Sequence, residues 1–161
     1  MGGEVKLEDL VITNGLYYKK FTKVPFTGSV TGKAQGSLKN GVKVGSWVGY
    51  DRNGRVSQEI SYKNGKKHTW VTHSYHGNGQ LKEKVTYRDG KKDGPWVSYH
   101  ENGQLYYKGT YKDGKKDGPW VYYHDNGQLS SKGTYKDGVK EGPWVSYYED
   151  GQLRLKGNYK D

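Results

Sequence analysis

The chain has 161 residues, enough for one ordinary domain; only 31% are hydrophobic, 16 are Tyr and 5 are Trp, and the formal net charge is +10. No cysteine is present, which excludes disulfide scaffolds, cysteine-ligated metals and thiol catalysis and leaves the redox compartment open. No apolar run is long enough to span a bilayer as a helix, and a thick core of Leu and Ile is not available, so a thin sheet stiffened by large aromatics is what remains.

Residues 1–15 hold Leu7, Leu10, Val11 and Ile12 with no turn signal and predict an N-terminal cap. Met1-Gly2-Gly3 reads as a start placed on a trimmed chain, so the lack of a signal peptide does not fix the compartment. Residues 16–44 hold a degenerate first repeat, with Gly36-Ser37-Leu38-Lys39-Asn40-Gly41 where later copies have Gly-Thr-Tyr-Lys-Asp-Gly. Residues 45–161 form tandem repeats. Trp47, Trp70, Trp96, Trp120 and Trp144 are spaced by 23, 26, 24 and 24 residues, and a fixed period in this range means an array of stacked supersecondary units. Regular aromatic spacing also argues against the disorder that high charge and low hydrophobicity otherwise suggest.

Each copy offers two strands and two turns. In the copy from Gly94, Trp96 to His100 is dense in β-favouring residues. Glu101-Asn102-Gly103 follows, where Asn-Gly is expected to supply the positive φ angles of a hairpin turn. Gln104 to Tyr111 is the return strand, and Lys112-Asp113-Gly114 the second turn. First turns recur at Asn53-Gly54, Asn78-Gly79, Asn126-Gly127 and Asp150-Gly151, second turns at Asn64-Gly65, Asp89-Gly90 and Asp137-Gly138. The copy at Trp70 departs from the pattern: Lys67-His68-Thr69 replaces Lys-Asp-Gly-Pro, and two extra residues within 72–77 predict a bulge or a longer loop.

Alternation assigns the faces. Leu105, Tyr107, Gly109 and Tyr111 share the side expected to be buried, as do Leu129, Ser131, Gly133 and Tyr135, and Leu153, Leu155, Gly157 and Tyr159. Gln104, Tyr106, Lys108 and Thr110 lie on the polar side, as do Gln128, Ser130, Lys132 and Thr134. Glycine inside a strand is expected to make room for a neighbouring indole. With strands about 4.8 Å apart, each repeat advances roughly 10 Å, and five or six give a ribbon of roughly 50–60 Å.

Gly-Pro-Trp-Val-x-Tyr-x-x-Asn-Gly-Gln-Leu followed by Lys-Gly-Thr-Tyr-Lys-Asp-Gly resembles the MORN-variant repeat of the bacterial YwqK-type, antitoxin-like proteins. Gly15-Leu16-Tyr17-Tyr18-Lys19-Lys20 with Pro25-Phe26-Thr27-Gly28 resembles the start of those proteins, so the match covers roughly residues 15 to 161. The resemblance implies an all-β fold, a tandem β-hairpin (MORN-type) repeat array forming an elongated, twisted single-layer sheet. It implies protein or membrane-surface binding rather than catalysis, in a bacterial cytoplasm or envelope.

Three sets of residues are candidates for chemistry. Aligned aromatics, the five Trp with Tyr50, Tyr99, Tyr123 and Tyr147, are either a binding surface or packing; Tyr62, Tyr87, Tyr111, Tyr135 and Tyr159 read as packing. A lysine row, Lys84, Lys108, Lys132 and Lys156, suits a polyanion or an anionic membrane, against the reading of solubilising, edge-protecting charge. His68, His73 and His76 cluster around the irregular copy, but in an extended strand they do not all point one way, and a solvent-exposed loop is expected. No phosphate loop, nucleophile elbow or paired-acid arrangement stands out from the repeats.

The sequence therefore predicts a non-enzymatic binding or scaffold protein with no cofactor and no metal. The partner expected is a protein, with an anionic membrane surface or polyanion as the alternative; nucleic acid is disfavoured for want of a recognisable motif. A strand ending at Tyr159 predicts an edge, lined by Val145, Tyr147, Leu153, Leu155 and Tyr159, that supports a homodimer or end-to-end assembly.

Overall fold

Two kinds of turn alternate along the chain, and their backbone angles explain why. At the second turns both central residues take positive φ: Asn64 and Gly65, Asp89 and Gly90, Asp113 and Gly114, Asp137 and Gly138. This is the tight two-residue turn whose twist matches a hairpin. The first turns differ from expectation. Asn53, Asn78, Asn102 and Asn126 keep negative φ and only the following glycine is left-handed. In the copy at His100, Gly103 N–H donates to the His100 carbonyl at 2.9 Å and His100 N–H to the Gln104 carbonyl at 2.8 Å. The Asn102 carboxamide oxygen accepts from Gln104 N–H at 3.0 Å. The result is a wider turn closed by a left-handed glycine, and the strand register slips beside it, between Ser98 and Tyr99.

The computed structural model describes residues 3–160. Met1 and Gly2, with the reading of a trimmed start, and Asp161 lie outside the described residues. The strands are β1 (Glu4–Lys6), β2 (Leu10–Thr13), β3 (Leu16–Lys19), β4 (Gly28–Thr31), β5 (Ala34–Lys39), β6 (Val42–Tyr50), β7 (Val56–Lys63) and β8 (Lys66–Tyr75). They continue as β9 (Leu81–Arg88), β10 (Lys91–Tyr99), β11 (Leu105–Lys112), β12 (Lys115–Lys116), β13 (Gly118–Tyr123), β14 (Leu129–Lys136), β15 (Val139–Tyr147) and β16 (Leu153–Tyr159). A single 3-10 turn, Leu7–Asp9, is the one helical element among the described residues. The fold is all-β, a large, mostly antiparallel sheet built from consecutive hairpins.

Contacts divide the chain into two compact units between Val71 and Thr72, inside β8. In the first unit, strands run in the order β1-β4-β5-β6-β7, with β1 parallel to β4 and the other pairs antiparallel. Asn14 and Gly15, both with positive φ, turn β2 into β3 as a separate two-stranded sheet. Leu10, Phe26, Val30, Leu38, Trp47 and Ile60 make the core of this unit. In the second unit the order is β9-β10-β11-β13-β14-β15-β16, all antiparallel, with β12 also paired to β11. Its buried apolar residues are Val85, Trp120 and Trp144.

Two expectations are corrected here. Of the bulge or longer loop expected before Asn78, the longer loop does not form: β8 takes up the extra residues, ten in all, and the turn after it keeps the ordinary bonds, His76 N–H to the Gln80 carbonyl at 2.8 Å and Gly79 N–H to the His76 carbonyl at 2.9 Å. Leu153, Leu155, Gly157 and Tyr159, expected on a buried side, are all exposed. Among the described residues β16 pairs with β15 alone, so its side chains pack against one neighbouring strand where those of interior strands pack against two.

Candidate binding surface

The indole face is built from seats. Gly36, Gly109 and Gly133 each lie under the tryptophan of the next copy: a Cβ placed there would stand 2.2 Å from Trp47 Cδ2, 2.1 Å from Trp120 Cδ2 and 2.1 Å from Trp144 Cδ2. The carbonyl of the next residue accepts the indole N–H: Ser37 from Trp47 at 3.2 Å, Thr110 from Trp120 at 3.3 Å, Thr134 from Trp144 at 3.2 Å. These three indoles are buried, at 2%, 1% and 8% exposure. Where the same strand position holds Ile60 or Val85, the following indoles, Trp70 and Trp96, are only half-buried. Trp96 donates instead to Glu83 Oε1, which also accepts from the Tyr107 hydroxyl at 3.0 Å. Burial, then the bond to Glu83, pushes the Tyr107 hydroxyl up to about 12. One strand residue thus decides whether the next tryptophan is core or half-open surface.

Five lysines cap this face. Lys43 Nζ lies 4.4 Å from the centre of the Trp47 ring, Lys67 4.8 Å from Trp70, Lys92 4.0 Å from Trp96, Lys116 4.2 Å from Trp120 and Lys140 4.4 Å from Trp144. Four of them also lie over the tyrosine of the return strand: Tyr62, Tyr111, Tyr135 and Tyr159, at 5.4, 5.3, 4.9 and 5.2 Å. A bulge at the left-handed Gly94 draws Lys92 back over Trp96 within one strand. These lysines carry cation–π contacts. The sequence reading missed them, although Lys stands four residues before Trp in four copies and three before in the other.

The opposite face carries the lysine row, and register fixes its neighbours. Lys84 pairs with Val97, Val97 with Lys108, Lys108 with Val121, Val121 with Lys132, Lys132 with Val145, and Val145 with Lys156. Cation and apolar side chain therefore alternate across the whole second unit. Alongside runs a row of exposed prolines, Pro95, Pro119 and Pro143, paired with Thr110, Thr134 and Asn158. An open groove of about 690 Å³ lies on this face, lined by Pro119, Val121, Pro143, Val145, Tyr147 and Leu153, with Lys132 and Lys156 at its walls.

The first turns are linked along one margin of the second unit. His76 Nε2–H donates to the Tyr99 carbonyl at 2.8 Å, His100 to Tyr123 at 3.0 Å and His124 to Tyr147 at 3.0 Å. Asn78, Asn102 and Asn126 amides donate to the carbonyls of Glu101, Asp125 and Glu149. His76 is thus half-buried in a copy-to-copy hydrogen bond rather than free in a loop; His68 is exposed and His73 half-buried, and no metal-binding group of His, Asp or Glu occurs among the described residues. Tyr50, Tyr99, Tyr123 and Tyr147 are half-buried. Of the expected association edge, Val145 and Tyr147 are half-buried and Leu153, Leu155 and Tyr159 exposed.

The family described as MORN repeat variant matches residues 43–64, 74–89, 92–113, 116–137 and 140–161. No curated protein matches the chain. Two solved structures show similarity at TM-scores too low to support an argument. One is a chain of accessory secretory protein 1, 2 and 3 in Streptococcus pneumoniae, at 16% identity, covering 63% of this chain and 18% of that one, TM-score 0.33. The other is a chain of the GtfA/B complex bound to UDP and GlcNAc, at 12% identity, covering 94% and 27%, TM-score 0.24. This chain spans less than a third of the length of either.

Proposed function

Because the chain belongs to the MORN repeat variant family, we propose that it is a non-catalytic scaffold that binds a protein partner across the face carrying Lys84, Lys108, Lys132 and Lys156. The observation that carries this reading is the unbroken Lys–Val ladder from Lys84 to Lys156. A purely solubilising row has no need of an apolar residue between successive cations. Apolar contact flanked by charge is the pattern of a protein interface, and a net charge of +10 selects an acidic partner. Non-catalytic action is supported by how the reactive groups are used: lysines cap indoles, histidines bridge turns and Glu83 holds Trp96 and Tyr107.

The antitoxin-like role is the finer part of this proposal. It rests on the resemblance of roughly residues 15 to 161 to the YwqK-type proteins and would make the partner a cognate toxin. Affinity capture with the parent protein and with a Lys84→Glu, Lys108→Glu, Lys132→Glu, Lys156→Glu variant tests the reading. A partner retained by the parent and lost by the variant supports it; equal retention refutes it.

A second reading has its own observation. Cations repeated every second strand, roughly 10 Å apart, also match an anionic membrane or a polyanion. Pelleting with acidic liposomes or retention on heparin, lost in the fourfold variant and weakened steeply by salt, would favour it over a protein partner.

A further inference from the structure

The line of direct partners from Lys84 through Val121 to Lys156 crosses successive strands at right angles to their direction. Neighbouring strands lie about 4.8 Å apart, so lysines recur about every 9.6 Å along the line, with a valine halfway between. Around each valine the surface is apolar. Pro119 and Pro143 stand exposed two residues before Val121 and Val145, and Tyr147, two residues after Val145, lines the same groove. Tyr123 holds the place of Tyr147 in the copy before.

The spacing selects among the shapes a polypeptide segment can bring. A β-strand repeats one face every two residues, about 6.6 Å, and binds through an open sheet edge. The strands under the middle of the line, β10 to β15, have a neighbour on both sides, so their main-chain groups are already engaged. An α-helix brings the same face round every seven residues, about 10.5 Å. A polyproline II helix does so every three residues, about 9.3 Å, and asks for no main-chain bond from the surface it lies on. Over the six strand steps from Lys84 to Lys156, the polyproline period drifts by about 1 Å and the α-helical one by about 3 Å. Long lysine side chains can follow such a drift, but the stiff, β-branched valines between them cannot.

We infer that the segment received by the Lys–Val face is a polyproline II stretch of a partner protein with an acidic residue at every third position. Each carboxylate lies over a lysine, and the two residues that follow straddle the next valine, where prolines meet the Pro and Tyr walls. The register is confined to the second unit: in the first, Val48 is flanked by Gln35 and Glu59 in place of lysines. This inference rests on the reading of the Lys–Val face as the binding surface.

The test is fluorescence anisotropy with a labelled ten-residue peptide, Glu-Pro-Pro three times with a final Glu, titrated with the 161-residue protein. Its control is the isomer Glu-Glu, six prolines, Glu-Glu, which has the same charge and composition but not the period. Saturable binding is expected for the first peptide, and binding about tenfold weaker for the isomer. The double variant Lys108→Ala, Lys132→Ala, at two exposed positions, should weaken the first peptide about tenfold while melting at the parent temperature. Equal binding of the two peptides means attraction to any polyanion and overturns the proposal. So does tighter binding of a helical peptide with glutamate at every seventh position. Absence of binding also overturns it; if affinity capture of a cellular partner still depends on the four lysines, the face remains the binding surface and only the occupant assigned here is wrong.

Discussion

Gly109 lies so close beneath Trp120 that a Cβ on the glycine would stand 2.1 Å from the indole Cδ2. The indole above it is 1% exposed and bonded to the Thr110 carbonyl. In a sheet with few large aliphatic residues, this contact stands in for a conventional core. Trp120→Ala is expected to cost about 3–5 kcal/mol in denaturant melts, because the cavity is bounded by backbone that does not collapse. A cost under about 1 kcal/mol would place the indole outside the packed structure.

The seat can also be spoiled from below. Gly109→Val or Gly133→Val forces a side chain into the indole plane, and overpacking of this kind typically costs about 1–3 kcal/mol. The signature that distinguishes it from a general strand effect is a red-shifted tryptophan emission, as Trp120 or Trp144 is lifted toward solvent. Unchanged emission would mean the seat does not set indole burial.

Much of this architecture was legible in the sequence. The tryptophan period gave the copies, the Asn-Gly and Asp-Gly pairs gave the hairpins, and strand glycines opposite indoles gave the close approach. What was missed is instructive. Asn102-Gly103 and Asp113-Gly114 look alike as dipeptides, yet Asn102 bonds its own turn through its side chain and keeps negative φ, so dipeptide chemistry did not determine the turn type. Asn14-Gly15 was a hairpin signal in a segment read as having none. Lys116 was hidden because a lysine beside Asp and Gly reads as solvated charge; only the bulge before Pro119 and Trp120 folds it onto the ring.

Lys116→Gln tests that contact. It removes the charge over Trp120 and Tyr135 and breaks the Nζ–H bond to the Tyr122 hydroxyl at 3.0 Å. A loss of about 0.5–2 kcal/mol is expected, the range for cation–π pairs from exposed to desolvated sites. Lys112→Gln, an exposed lysine at a turn, should change stability by less than about 0.5 kcal/mol. Equal effects at the two positions would refute a specific role for the capping lysine.

Alkaline pH supplies a separate check. Burial raises the Tyr62, Tyr111, Tyr122 and Tyr135 hydroxyls above their ordinary value, and Tyr107 is pushed up to about 12. A raised folded pKa means that the neutral form is favoured by folding. That stability is fully present below the unfolded value near 10 and is lost as pH rises through the folded values toward 12. Denaturant melts should weaken above pH 10, and Tyr107→Phe should flatten the dependence. A steep loss already below pH 9 would contradict this assignment.

The histidine bridges predict a stability effect rather than a metal effect. His100→Ala leaves the Tyr123 carbonyl without its side-chain donor and should cost about 0.5–1.5 kcal/mol. Added zinc should leave the melting temperature of the parent protein unchanged, and a zinc-dependent rise would return the histidines to a ligand role.

The claim that the Lys–Val face is the binding surface is tested most directly by photocrosslinking in cells. A photoreactive phenylalanine analogue at Val121, between Lys108 and Lys132, is compared with the same analogue at Thr22, an exposed residue of the first unit that is not part of the ladder. The predicted result is one protein adduct from position 121, absent from position 22 and abolished when Lys84, Lys108, Lys132 and Lys156 are all replaced by Glu. Adducts of equal yield from both positions, or an adduct from position 121 that survives the charge reversal, would contradict it.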